Sequence, residues 1–195
     1  MYKIDVVIQG CDKYSFIFDE FLSYFQNFPR TIFDKTYFCN EEVDVNLNDG
    51  IIQIKTGVGE WSDRLIKILS QTKNQNIIYI QEDFFIKNVN IEELENGINF
   101  HLSNNNDITK FGYFSSFILE TYDLLINKQS NKSSYLISHQ PISIFKKDFL
   151  LSTLSSNINC WQHEQFISNE ASVYCYGKYN QVIQYHHALY RGVRI

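Results

Sequence analysis

Two adjacent carboxylates, Glu82 and Asp83, stand in NIIYIQEDFFI (residues 76–86) with apolar runs on both sides. A carboxylate beside an apolar core takes up a proton or acquires a cation. Oxygen ligands on a short loop suit Mg2+ or Mn2+, which keep part of their water shell and also bind substrate phosphates. The plainer alternative is a pair that caps the next element or forms a solvated turn. Arg64, in GEWSDRLIKIL, lies near the start of a helical run. It either meets an anion there or makes an ordinary surface ion pair with Asp63 or Glu60.

Two further groups carry chemistry. In NCWQHEQFIS (159–168), Glu164 follows Trp161 and His163. It reads as a general base beside an aromatic wall, or as an acid set against a helix dipole. In QYHHALYRGVR (184–194), His186 or His187 completes a metal site while Arg191 and Arg194 contact phosphate; an edge strand with a polar tail is the alternative. Thr56-Gly57-Val58-Gly59 has neither the P-loop Lys-Ser/Thr nor a GxGxxG pattern, so it reads as a tight turn.

The elements that must position these groups follow from hydrophobic periodicity. KIDVVIQ (3–9) is a strand ending at Gly10, and Phe16, Ile17, Leu22, Tyr24 and Phe25 recur at helical spacing over 15–26. TIFDKTYFC (31–39), IIQIK (51–55) and IIYI (77–80) are further strands. Trp61, Leu65, Ile68 and Leu69 share one face of a helix over 60–73. Near-continuous apolar strands alternating with helices predict a parallel sheet covered on both faces. Ligands of such sheets bind outside the carboxyl ends of the strands. The clusters Gln9-Gly10-Cys11-Asp12-Lys13, Thr56 to Gly59 and Gln81-Glu82-Asp83 all fall at such ends.

Beyond a helix over 91–102 and a turn at 104–107 the pattern changes. TYDLLIN, SSYLIS and QPISIFK are short strand-like runs within 121–146, helices are expected near 147–155 and 161–168, and ASVYCYG and QVIQYHH return to strand. This half reads as α+β and continues the same sheet.

Composition excludes several classes. With 195 residues, 44% hydrophobic and 16% aromatic, the chain suits one compact domain. A net charge of -5 and a pI near 5.5 give no general attraction to nucleic acid or anionic membrane. The four cysteines have no CxxC spacing, which points to reduced thiols rather than a zinc cluster or disulfide framework. There is neither an apolar leader nor a span of about 18 apolar residues, so the expectation is a soluble, unexported, cytoplasmic protein with no membrane-spanning segment. Asn131-Lys-Ser matches a glycosylation acceptor but reads as a polar loop in that setting.

Taken in order, Cys11-Asp12-Lys13-Tyr14, Trp61-Ser62-Asp63-Arg64, Gln81-Glu82-Asp83-Phe84-Phe85, Gln140-Pro141-Ile142-Ser143-Ile144-Phe145 and Trp161-Gln162-His163-Glu164 span nearly the whole chain. This set resembles the GT-A-type glycosyltransferases, in particular small sugar transferases of bacteria and viruses. The resemblance implies an α/β, Rossmann-like fold whose mixed, mainly parallel sheet is flanked by helices in a single domain, 1–195. Residues 1–102 would form a nucleotide-binding half and 103–195 an acceptor-side half.

It also implies sugar transfer from a nucleotide-sugar donor, foremost a UDP-sugar, to a hydroxyl of a glycan or other acceptor, with Mn2+ or Mg2+ as cofactor. Gly10, Asp12, Arg64, Gln81, Glu82, Asp83, His187 and Arg191 would bind the donor. Asp83, with Glu82 and His186, would hold the metal. Glu164 would be the base of an inverting reaction, with Gln140, Trp161 and His163 on the acceptor side. The usual Asp-x-Asp is replaced by Gln81-Glu82-Asp83, and the chain is short for the fold. A sugar nucleotidyltransferase and an inactive nucleotide- or glycan-binding domain are the alternatives.

Overall fold

The computed structural model describes residues 1–195 except Tyr122, Leu124, Ser134, Ile167, Asn169, Arg191 and Gly192. The first half of the chain forms β1 (Tyr2–Gln9), α1 (Phe18–Phe25), β2 (Phe33–Asn40), β3 (Ile51–Lys55), α2 (Trp61–Gln71), β4 (Asn76–Gln81), β5 (Phe84–Val89) and α3 (Ile91–Asn104). The second half adds β6 (Ile108–Lys110), β7 (Ile126–Lys128), β8 (Ser143–Lys146), α4 (Lys147–Thr153), α5 (Cys160–His163), β9 (Val173–Tyr176), β10 (Ile183–His187), β11 (Leu189–Tyr190) and β12 (Val193–Arg194).

Eight strands make one sheet in the order β3-β2-β1-β4-β8-β6-β9-β7. Strands β3, β2, β1 and β4 are parallel, β8 opposes both β4 and β6, β9 runs with β6, and β7 opposes β9. Alternate residues of the central strands feed opposite faces. Ile4, Val6, Ile8, Ile78 and Ile80 join the core beneath α1 and α3, whereas Val7, Ile77 and Tyr79 join the core beneath α2 and α4. This two-sided burial is why the strands read as continuous apolar runs. Buried Asp5 closes the amino-end turn by accepting from the Lys73 and Asn74 backbone N–H groups and from the Asn74 amide.

The chain builds β2 and β3 to one side of β1, then returns to place β4 on the other. The reversal of strand order therefore falls between β1 and β4, the position at which α/β sheets open a crevice. Gln9 and Gln81 are register partners there. Glu82 and Asp83 form the turn that follows, and the chain then leaves the main sheet.

The mixed, mainly parallel eight-stranded sheet agrees with the sequence reading, and several details depart from it: β10, expected to continue that sheet, forms a separate two-stranded sheet with β5. The expected helix over 15–26 begins as a 3-10 segment, Asp12–Ile17, broken by a non-helical Tyr14, and is α-helical only from Phe18. FFI is not merely an apolar flank: β5 runs from Phe84 to Val89 and pairs antiparallel with β10, with His187 opposite Phe84 and His186 opposite Phe85. The expected helix over 161–168 is a single turn, Cys160–His163, and among the described residues SSYLIS forms no strand. No described helix is long and apolar enough to cross a membrane.

Candidate active site

Backbone contacts lock the β1 and β4 ends together. The Glu82 N–H donates to the Gln9 carbonyl at 3.4 Å, and the Cys11 N–H donates to Glu82 Oε1 at 3.1 Å. Beneath them Gln9, Trp61 and Tyr79 close a buried ring: the Gln9 amide donates to the Trp61 carbonyl, Trp61 Nε1 to Tyr79 Oη, and Tyr79 Oη to Gln9 Oε1, all at 2.9–3.1 Å. Gly10 is required for close packing, because a Cβ there would stand 3.0 Å from the Phe18 ring. Arg64, buried on the first turn of α2, donates to the Gly10 carbonyl at 2.7 Å and keeps Glu41 at 3.9 Å.

The two carboxylates differ in kind. Burial, reinforced by neighbouring Asp83, pushes the Glu82 carboxyl up to about 8 despite its bond from Cys11. Glu82 therefore keeps its proton at neutral pH, and Asp83 is the less buried partner of the pair. Asp83 Oδ2 lies 3.2 Å from His187 Nδ1. The ring's other nitrogen, Nε2, is buried without a hydrogen-bond partner.

These groups open into a cavity of about 1350 Å3, with Gly10, Arg64, Gln81, Glu82, Asp83, Gln140, Trp161, His186 and His187 on its walls. The structure thus brings together most of the residues singled out from the sequence. Tyr14, Asn159 and Cys160 of the quoted motifs add to the lining, as do Lys87, Tyr179, Asn180, Tyr185, Leu189 and Ile195, which the sequence reading did not assign to the site. Tyr185 was legible, since it lies two residues before His187 and period-two alternation puts both on one face of β10. Both pack on Phe84, with centroids at 5.0 and 4.7 Å.

Asp12 and Arg194 fall outside the cavity, and His186 lines it without facing Asp83. Asp12 does not line the cavity: its carboxylate accepts from the Asn40 amide and from the Glu41, Glu42 and Val43 N–H groups at 2.7–3.1 Å. Burial opposes its ionisation, but these four bonds outweigh that and hold its carboxyl below the usual range. Asp12 thus fixes the loop after β2. His186 turns to the opposite face of β10 from His187, edge-on to Tyr24 and Phe85 at 5.5 and 5.6 Å, so His187 rather than His186 meets Asp83. Arg191 lies outside the described residues, and Arg194 pairs with Glu20 on the surface.

His163 is buried, with Nε2 2.8 Å from Thr153 Oγ1 and Nδ1 3.2 Å from His139 Nε2. Burial depresses it to about 4 and also lowers His139, so both rings are neutral at pH 7. They support the Trp61 ring from below rather than reaching the cavity.

Glu164 follows α5, whose start is fixed by a reciprocal capping box between Asn159 and Gln162. Its Oε1 accepts the His139 N–H at 3.0 Å, and burial raises its carboxyl while Lys110 offsets part of that rise. It opens not into the large cavity but into a neighbouring one of about 250 Å3, and Gln140 lines both. Among the described residues no three His, Cys, Asp or Glu groups converge as a ready metal cage.

The fold is that of crystal structures of TarS from S. aureus. Its residues 1–349 superpose with TM-score 0.53 at 15% identity over 90% of this chain and 60% of that one. The corresponding values are 0.54, 15%, 91% and 59% for the complex with UDP-GlcNAc. For the UDP complex they are 0.56, 15%, 89% and 57%. The bifunctional IspDF of Campylobacter jejuni is similar at TM-score 0.50 and 10% identity, over 90% of this chain and 50% of that one. The likeness is one of fold, GT-A-like and Rossmann-related, and the chain spans at most about 60% of the length of these proteins. No protein-family model and no curated protein sequence matches the chain.

Proposed function

We propose that the protein is a glycosyltransferase that moves a sugar from a nucleoside-diphosphate sugar, foremost a UDP-sugar, to a hydroxyl of a glycan or other acceptor. One observation carries the reading: Asp83, His187 and Arg64 converge on the crevice between β1 and β4, in a cavity of about 1350 Å3. The fold matches crystal structures of TarS with UDP-GlcNAc and UDP. The order of motifs adds the small transferases of bacteria and viruses as the family, and polysaccharide biosynthesis in the cytoplasm as the setting.

Asp83 and His187 fit a divalent cation as two of its donors, and a mixed carboxylate and imidazole set suits Mn2+. Its remaining positions would be open to water and to oxygens of the diphosphate. When bound, the cation offsets negative charge on the leaving diphosphate. Arg64 holds the Gly10 carbonyl and places its positive charge behind the same crevice. Glu164 takes the proton of the acceptor hydroxyl as that oxygen attacks the anomeric carbon from the face opposite the diphosphate, inverting the centre.

The test is thermal denaturation with a panel of nucleoside diphosphates, with and without Mn2+. Stabilisation by a diphosphate in the presence of metal is expected, since a ligand selective for the native state raises its midpoint. No response to any nucleotide refutes the reading. A second reading, a nucleotide- or glycan-binding domain without turnover, draws on the opening of Glu164 into the smaller cavity. Release of nucleoside diphosphate from a nucleotide sugar separates the two, and release of pyrophosphate from a nucleoside triphosphate would instead identify a nucleotidyltransferase.

A further inference from the structure

Lys110, the last residue of β6, is fully buried, and among the described residues no carboxylate lies within ion-pair distance of its Nζ. A buried ammonium costs several kcal/mol unless its surroundings compensate. Here compensation comes from three sides. Nζ donates to the Tyr135 carbonyl at 2.9 Å and stands 4.3 Å over the Phe117 ring, and the negative charge of Glu164 acts on it from nearby. Tyr135, Phe117 and Glu164 are all walls of the smaller cavity. A single buried cation thus acts on three sides of one pocket.

The lining has a definite chemistry. Phe114, Phe117 and Tyr135 offer aromatic faces; Ser116, Ser138, Gln140 and Glu164 offer hydroxyl, amide and carboxylate groups. Flat apolar faces interleaved with short polar groups match a ring with apolar faces and a hydroxylated edge. Among the described residues no Lys or Arg lines the cavity, so a uronate or phosphate ester finds no cationic partner on those walls. At about 250 Å3 it lies just below the usual range for drug-sized ligands, which fits one sugar ring and not a chain. It communicates with the larger cavity twice: Gln140 lines both, and Phe114 packs at 4.6 Å on Tyr179 of the larger one.

We infer that this second cavity seats the acceptor as a neutral sugar ring, stacked on Phe114 and Tyr135 with a hydroxyl directed to Glu164. The inference rests on the transferase reading for its purpose, and it gives Glu164 a substrate in the cavity where that residue lies.

Saturation-transfer NMR with methyl glycosides of glucose, galactose and N-acetylglucosamine, and with a methyl glucuronide, tests it in the presence of UDP and Mn2+. At least one neutral glycoside should bind, the glucuronide should bind at least about tenfold more weakly, and Tyr135→Ala should weaken the neutral ligand about fivefold, the loss expected for one aromatic face. Tyr135 is 43% exposed, so this variant should fold, and its UDP-induced thermal shift should match that of the unsubstituted protein. Absence of glycoside binding, equal binding of the glucuronide, or indifference to Tyr135→Ala overturns the inference. If UDP binds and no glycoside does, only the acceptor site fails. Glycoside binding that Tyr135→Ala weakens, without any nucleotide binding, keeps the sugar site and removes the transferase reading.

Discussion

At the ends of β1 and β4 the polar groups are placed by backbone: register pairs Gln9 with Gln81, and each strand's next residues bond to the other strand. Around Glu164 the framework is made of side chains. Lys110, His139 and His163 are buried there among strands of three and four residues, and α5 has a single turn. A crevice defined by parallel strands exists wherever the topology exists. The second region depends on ionisable groups keeping particular charges, so pH and single substitutions should disturb it first.

The largest expected effect tests whether that second region performs chemistry. Glu164→Gln keeps an acceptor for the His139 N–H, yet should slow sugar transfer by about 10²- to 10⁴-fold, the usual contribution of a general base. The UDP-induced thermal shift should persist. Transfer at an unchanged rate would reduce Glu164 to scaffolding.

The next prediction concerns acid. His163 is held to about 4 by burial, against 6.5 in the unfolded chain, so between these values the unfolded state takes up a proton that the native state refuses. The contribution of His163 is therefore complete above about pH 6.5 and is lost as pH drops towards 4, by about 3 kcal/mol. His139, also lowered by burial, acts in the same direction. Glu82, held up to about 8, acts in the opposite direction, so the measured quantity is the difference between the unsubstituted protein and His163→Gln: towards pH 4 the urea midpoint of the variant should fall less or rise more, and parallel profiles would contradict the buried-histidine account.

Asp83→Asn sharpens the other side of the comparison. It should abolish the metal-dependent part of nucleotide stabilisation, about 2.7 kcal/mol at a ligand concentration 100 times Kd, while leaving the unliganded midpoint nearly unchanged. Retention of the full metal effect would move the cation elsewhere. The smallest effect belongs to Asn159→Ala, which breaks the capping box of α5 and should cost about 1 kcal/mol in chemical denaturation. If transfer also slows, the orientation of Glu164 depends on that cap.

Legibility in the sequence divides along the same line. KIDVVIQ, TIFDKTYFC and IIYI announced β1, β2 and β4 because burial on both faces writes continuous apolar runs. Their order alone places Glu82 and Asp83 at a strand end. The second half could not be read as well, since three-residue strands carry no periodicity and Lys110 in ITK looks like any surface lysine. The role of Asp12 was hidden for another reason: its partners, Asn40 to Val43, lie some thirty residues away and meet it only through the β1–β2 pairing. His186 and His187 were adjacent candidates, and only the pairing partner of β10 decides which one faces Asp83.

The chain has two tryptophans, and both stand on the wall of the larger cavity. Trp61 is buried with its indole N–H bonded to Tyr79, whereas Trp161 is 65% exposed at the rim. All indole emission thus originates at the place where ligands are expected to enter, divided between a dry, hydrogen-bonded fluorophore and a wet one. The protein carries its own optical gauge of occupancy: a ligand covering Trp161 should shift and dampen the red component while leaving the blue one in place, with no label attached.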